Sequence, residues 1–77
     1  MLTKNETALM KLLKEIYDDK DFVCGTMTIL KTDRNRSVML DYILTAKSKG
    51  LSIESDDILK LALILKNEEQ TGVNDVA

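Results

Sequence analysis

The chain has 77 residues, 44% of them hydrophobic and 31% charged, a balance typical of one small globular domain and not of a disordered chain. Its 11 basic and 13 acidic residues give a net charge of −2, which offers no general attraction for nucleic acid or anionic membranes. With one cysteine and no histidine, the chain can form neither an intrachain disulfide nor the usual zinc sites. We therefore expect no cofactor, and stability from helix packing or self-association.

The first predicted helix covers residues 4–19. Thr3 and Glu6 form a capping box, in which the hydroxyl accepts from the Glu6 amide and the carboxylate reaches back to the Thr3 amide. A single apolar stripe follows at helical spacing, with the charged side chains on the other face. It consists of Leu9, Leu12, Leu13, Ile16 and Tyr17.

Residues 21–30 are ambiguous between a helix and a strand. Phe, Val, Ile and two Thr favour a strand, whereas Phe22, Val23, Met27 and Leu30 share one face of a helix that Asp21 can cap. A lone strand has no partner elsewhere in the chain, so we expect a short helix. The alternative is a strand that pairs with its copy across a dimer.

The third predicted helix covers residues 33–48, with Thr32 or Asp33 as its cap. Gly50 suits a left-handed stop after it. Its apolar stripe is widened on one side by two leucines. The stripe is Met39, Tyr42, Ile43 and Ala46, widened by Leu40 and Leu44.

The last helix is capped by Ser55 and carries the run ILKLALIL over residues 58–65. We expect it to end near residues 66–69, before a polar tail. A helix that is apolar on nearly every side is buried, either by its own chain or by another. Together the elements predict an all-α, bundle-like domain of three long helices and one short one over residues 1–70, with a flexible tail over 71–77.

The apolar run predicts an interaction surface, because a large apolar patch on a small protein marks a binding site. The expected partner is a second copy or another protein, and no small-molecule substrate is evident. These side chains would form the core instead if the chain's own helices cover them. The candidate interface residues are Leu40, Leu44, Leu59, Leu63 and Ile64.

A helix-turn-helix-like element over residues 37–65 is the alternative, and it would make the chain a nucleic-acid-binding regulator. Its second helix begins with Glu54, Asp56 and Asp57, which would repel phosphates in the major groove. Nucleic acid is therefore not the favoured partner. Basic residues that could contact it are Lys31, Arg34, Arg36, Lys47 and Lys49.

Catalysis is not expected, since no histidine can activate a nucleophile and no glycine-rich phosphate loop is present. Cys24, between Val23 and Gly25, is expected in or near the core, where a free cysteine acts as a small hydrophobe. A free cysteine without an apolar signal segment favours the cytoplasm, and no stretch is apolar enough to span a membrane.

The run DFVCGTMTILKTDRNRSVMLDYI, followed by SDDILKLALIL, resembles short uncharacterised helical accessory proteins carried on mobile elements of Gram-positive bacteria. The resemblance covers about the last two-thirds of the globular part and includes no diagnostic motif. It implies an accessory or regulatory role. With the apolar run, it leads us to expect a non-enzymatic interaction module that associates with itself through the last helix.

Overall fold

A computed structural model describes the backbone of residues 3–75 and the side chains of residues 3–68. Four helices span this part of the chain: α1 (Lys4–Tyr17), α2 (Lys20–Ile29), α3 (Asp33–Ser48) and α4 (Ser55–Asp75). No strand occurs among residues 3–75, so the all-α prediction is confirmed, and so is the choice of a helix for the ambiguous second segment.

Side chains cap the first three helices as short polar residues usually do. The hydroxyls of Thr3 and Thr32 accept from backbone amides three residues later, each at 3.1 Å. The cap of α2 is Asp19, whose carboxylate accepts from the Phe22 amide, and the prediction of Asp21 was wrong. The helix starts two residues earlier than Asp21 would allow, because the turn after α1 consists of only two residues.

The start and the end of α4 also differ from expectation. Ser55 is the first residue of α4 and not its cap, since the carbonyl of Glu54 already accepts from the amide of Ile58. The helix continues to Asp75, beyond the predicted end near residues 66–69. Glu and Gln have good helix propensity, and no proline interrupts this segment. Whether the segment 71–77 is flexible stays a prediction, because its side chains and the last two residues lie outside the described part.

The helices form a closed ring around one core. Helix α1 packs against α2 and α3, and α4 packs against the same two helices from the opposite side. Each helix turns one apolar stripe inward, as its spacing predicts. The buried core consists of Leu9, Leu12, Leu13, Val23, Leu30, Met39, Ile43, Ile58, Ala62 and Leu65.

Polar contacts at one end of the bundle set α3 against α1. The Asp33 carboxylate accepts hydrogen bonds from Thr3 and Asn5, both at 2.8 Å. Arg36 donates from Nε to the carbonyl of Leu30 at 2.7 Å, and its Nη1 lies 3.5 Å from the Glu6 carboxylate. Glu6 therefore pairs with Arg36, whereas the capping box predicts a return to the Thr3 amide. These contacts place the first turns of α1 and α3 side by side.

Tyr17 makes the corresponding contacts at the other end. Its hydroxyl donates to the carbonyl of Ile53 at 2.8 Å, and its ring meets Phe22 edge to face with centroids 4.8 Å apart. Burial raises the pKa of the Tyr17 phenol, and the nearby Glu54 carboxylate adds to that increase. The phenol thus joins the end of α1 to the connector between α3 and α4.

The turn after α3 is a Schellman motif. Gly50 has a φ of +72°, its amide donates to the Lys47 carbonyl, and the Leu51 amide donates to the Ala46 carbonyl. This is the left-handed stop predicted for Gly50. The motif brings Leu51 back beside the last turn of α3.

Replacing Tyr17 with Phe should lower the free energy of unfolding by about 1 kcal/mol near neutral pH, because the hydrogen bond to Ile53 is lost. The contribution of the phenol is complete below the pKa of an unfolded tyrosine, about 10, and is lost as the pH rises through the higher folded pKa. Urea unfolding between neutral and alkaline pH should show this loss in the parent chain and in Tyr42→Phe. A loss of equal size in Tyr17→Phe would assign it to another group.

Replacing Thr26 with Val should raise stability by about 1 kcal/mol. Thr26 is fully buried and its hydroxyl has no hydrogen-bond partner among the described residues, so the change removes an unsatisfied polar atom at nearly constant volume. The control is Thr28→Val, on the exposed side of α2, which should change the unfolding midpoint little. Destabilisation by Thr26→Val would show that the hydroxyl has a partner in solution.

Candidate protein-interaction surface

Over residues 55–68 the last helix is covered on one side only. Ile58, Ala62 and Leu65 face the core, whereas Leu63 and Ile64 are 48% and 53% exposed. The Leu65 carbonyl accepts from the side-chain amide of Asn35 on α3 at 3.5 Å, so the buried stripe of α4 meets α3 there. Helical spacing places Leu63 and Ile64 at the two edges of the exposed face, Leu63 beside the half-buried Leu59 and Ile64 beside the half-buried Leu61.

The two candidate residues on α3 lie on a different surface. Leu40 packs against the core and Leu44 is half exposed, and both share a flank of α3 with Arg36. Arg36 contacts Glu6, so this flank borders α1, whereas α4 borders the opposite one. The five predicted interface residues are not brought together into one patch.

The basic residues of the alternative prediction are also dispersed. Lys31 and Arg34 lie at the start of α3, and Lys47 and Lys49 lie at its end, about 20 Å away at the rise of an α-helix. Arg36 is already engaged by Leu30 and Glu6. The described structure therefore forms no continuous basic surface from these five side chains.

The pair α3–α4 does not have the form of a DNA-reading element. Residues 49–54 separate the two helices, a longer connection than the usual turn of three or four residues. The contact between Asn35, near the start of α3, and Leu65, far along α4, shows that the helices run in opposite directions. Asp56 and Asp57 are exposed at the start of α4, where phosphates would have to approach.

An apolar groove runs along the other flank of α3 and was not predicted. Val38 and Tyr42 are 38% and 41% exposed there, and Leu51, at 60%, closes one end. The groove has a volume of about 480 Å³. Thr45 and Ala46 form its middle, and Asp41 and Lys49 lie along its edge. We call this surface the α3 groove.

Leu51 also borders a second depression of about 300 Å³ on the α1 side of the connector. Its apolar walls come from Ile16 and Ile53, and its polar ones from the connector and the end of α3. Among the described side chains, Leu51 is the most exposed large hydrophobic residue. It stands between the two depressions, so a partner that reaches either one also contacts this leucine.

Two features of the sequence explain why the α3 groove was not predicted. The spacing predicts Tyr42 in the core stripe of α3, but the stripe is centred on Asn35, Met39, Ile43 and Ala46, so Tyr42 lies at its edge. Leu51 belongs to a stretch that resembles a plain connector. The sequence signal that could have revealed the position of Leu51 is Gly50, because a Schellman motif is often followed by an apolar residue that folds back on the helix.

The α3 groove is lined mainly by apolar side chains. Within the described residues, no group of three or more His, Cys, Asp or Glu side chains is placed to hold a metal ion, and no helix is long and apolar enough to cross a bilayer. No family model, curated protein or solved structure matches the chain. Its function is therefore inferred from its surface.

Cys24 is exposed, and its expected place in the core was wrong. Val23 and Thr26 are the buried positions of α2, and Cys24 lies one residue past Val23, on the outward side.

A thiol-reactive disulfide reagent should therefore titrate one thiol per chain in the folded protein as readily as in urea. The reaction requires an accessible sulfur, which the outward position of Cys24 provides. The variant Cys24→Ser should show no reaction and unchanged stability. Reaction only after unfolding would place the thiol inside.

Proposed function

We propose that this chain is a non-enzymatic interaction module that associates with itself, with an accessory or regulatory role in the cytoplasm. The observation that supports the proposal is the α3 groove, where Leu51 leaves most of its side chain in water beside Val38 and Tyr42. Burying apolar surface is favourable by about 25 cal/mol per Å², so a partner that fills the groove gains binding energy there.

The last helix leaves fewer apolar side chains for a partner than its composition suggests. Its core stripe is covered by the chain's own helices, and the side chains left for a partner are Leu63 and Ile64. Both lie on the exposed face of α4, and neither lines the α3 groove. The two surfaces can therefore be told apart by substitution.

Nucleic-acid binding is the weaker proposal. The basic residues lie at opposite ends of α3, and the start of α4 is acidic and exposed. Measurable binding to DNA or RNA with a steep salt dependence would favour it over a protein partner.

Sedimentation of the purified chain from micromolar to submillimolar concentration should show a mass that rises from 8.7 kDa toward that of a dimer. Leu51→Asp should weaken association about tenfold or more, since it places a charge in the apolar groove. The matched control is Leu63→Asp, also on an exposed leucine, which should leave association unchanged.

Two outcomes would contradict the proposal. A monomer at every concentration would refute self-association. Loss of association in Leu63→Asp but not in Leu51→Asp would place the interface on the exposed face of α4 instead of on the α3 groove. Circular dichroism should remain helical for both variants, because both side chains are substantially exposed.

A further inference from the structure

Two opposite charges lie along the α3 groove. Asp41 and Lys49 are both exposed and form no ion pair among the described side chains. They are eight residues apart along one helix and its cap, about 12 Å along the axis, which is too far for them to pair with each other. Thr45 lies midway between them.

This spacing matches the requirement of a two-fold axis. When two copies of a helix pack antiparallel about a dyad, each residue lies opposite the one equally far from the axis on the other side. With the dyad at Thr45, Asp41 of one chain faces Lys49 of the second copy, and Lys49 faces its Asp41. Each charge then meets its opposite, in two symmetric pairs.

The apolar side chains of the groove fit the same arrangement. In that register, Val38 lies three residues beyond Lys49 of the second copy, at the outer end of the contact, whereas Leu51 folds back toward Ala46 and lies nearer the axis. The small side chains of Thr45 and Ala46 lie at the centre, where the two helices approach most closely. Tyr42 lies about one turn from the axis and can cover the centre from each side.

We propose that two copies of the chain form an isologous dimer in which the two α3 helices pack antiparallel across their grooves, with paired Asp41–Lys49 contacts. This inference rests on the self-association proposed above and gives it a geometry. A second copy is the occupant that the charges favour, because a self-complementary contact about Thr45 pairs each charge with its opposite. Along the rim, such pairs set the register and the choice of partner.

Charge reversal tests the geometry directly. In Asp41→Lys, positions 41 and 49 that face each other across the dyad are both lysines, and in Lys49→Asp they are both aspartates. Because like charges repel in both symmetric pairs, each variant alone should associate about tenfold more weakly. An equimolar mixture of the two variants pairs every charge with its opposite. Sedimentation of the mixture, and of the double variant Asp41→Lys/Lys49→Asp, should recover the association of the parent chain at low salt.

The control is the same exchange on the outer face of α1, where Lys11→Glu and Glu15→Lys should have no effect alone or mixed. A parent chain that stays monomeric refutes the proposed self-association and this dimer with it. The dyad at Thr45 is refuted if the parent chain dimerises and neither charge reversal weakens the dimer. It is also refuted if the reversals weaken the dimer and the mixture does not restore it. In both cases self-association would occur through another surface. Raising the salt concentration should reduce the difference between the single variants and the mixture.

Discussion

Arg36 links three of the four helices and helps to orient α3 in the bundle. Its guanidinium donates to the carbonyl of Leu30, the residue that caps the end of α2, and pairs with Glu6 of α1. This side chain therefore joins α3 to two other helices. Such contacts at a partly buried arginine have fixed geometry, because the guanidinium is planar and its donors point in set directions. Arg36 therefore sets the rotation of α3 about its axis. The flank with Arg36 faces α1, and Val38 and Tyr42 on the opposite flank stay partly exposed.

The connector after α3 completes the groove through local backbone rules. Gly50 accepts a left-handed conformation at little cost, and the hydrogen bonds of the Schellman motif fold Leu51 back toward Ala46. Tyr17 holds the following residues by bonding to Ile53. Leu51 thus lies between two segments that hydrogen bonds hold in place. Its exposure results from the Schellman motif and not from a loose segment.

The helices could be predicted well from the sequence because their signals are local. Caps at Thr3 and Thr32, the stop at Gly50 and the apolar spacing all act within a turn or two. Which flank of a helix stays exposed depends on contacts between residues about thirty positions apart, such as Arg36 with Glu6 and Asn35 with Leu65. The spacing misplaces Tyr42 for this reason, and the usual burial of a free cysteine misplaces Cys24. Both lie next to core positions, and only the packing of neighbouring helices decides which side they take.

The exposed apolar surface is costly for a monomer of this size. A chain of 77 residues buries a smaller share of its surface than a larger domain, so it has little stability to spare. The Thr26 hydroxyl, unsatisfied among the described residues, reduces that margin further. Association through the α3 groove would stabilise the folded chain by mass action, since only the folded chain presents the groove. In the proposed dimer the groove would serve stability and recognition together: pairing would stabilise the fold at high chain concentration, and the charges of Asp41 and Lys49 would select the partner.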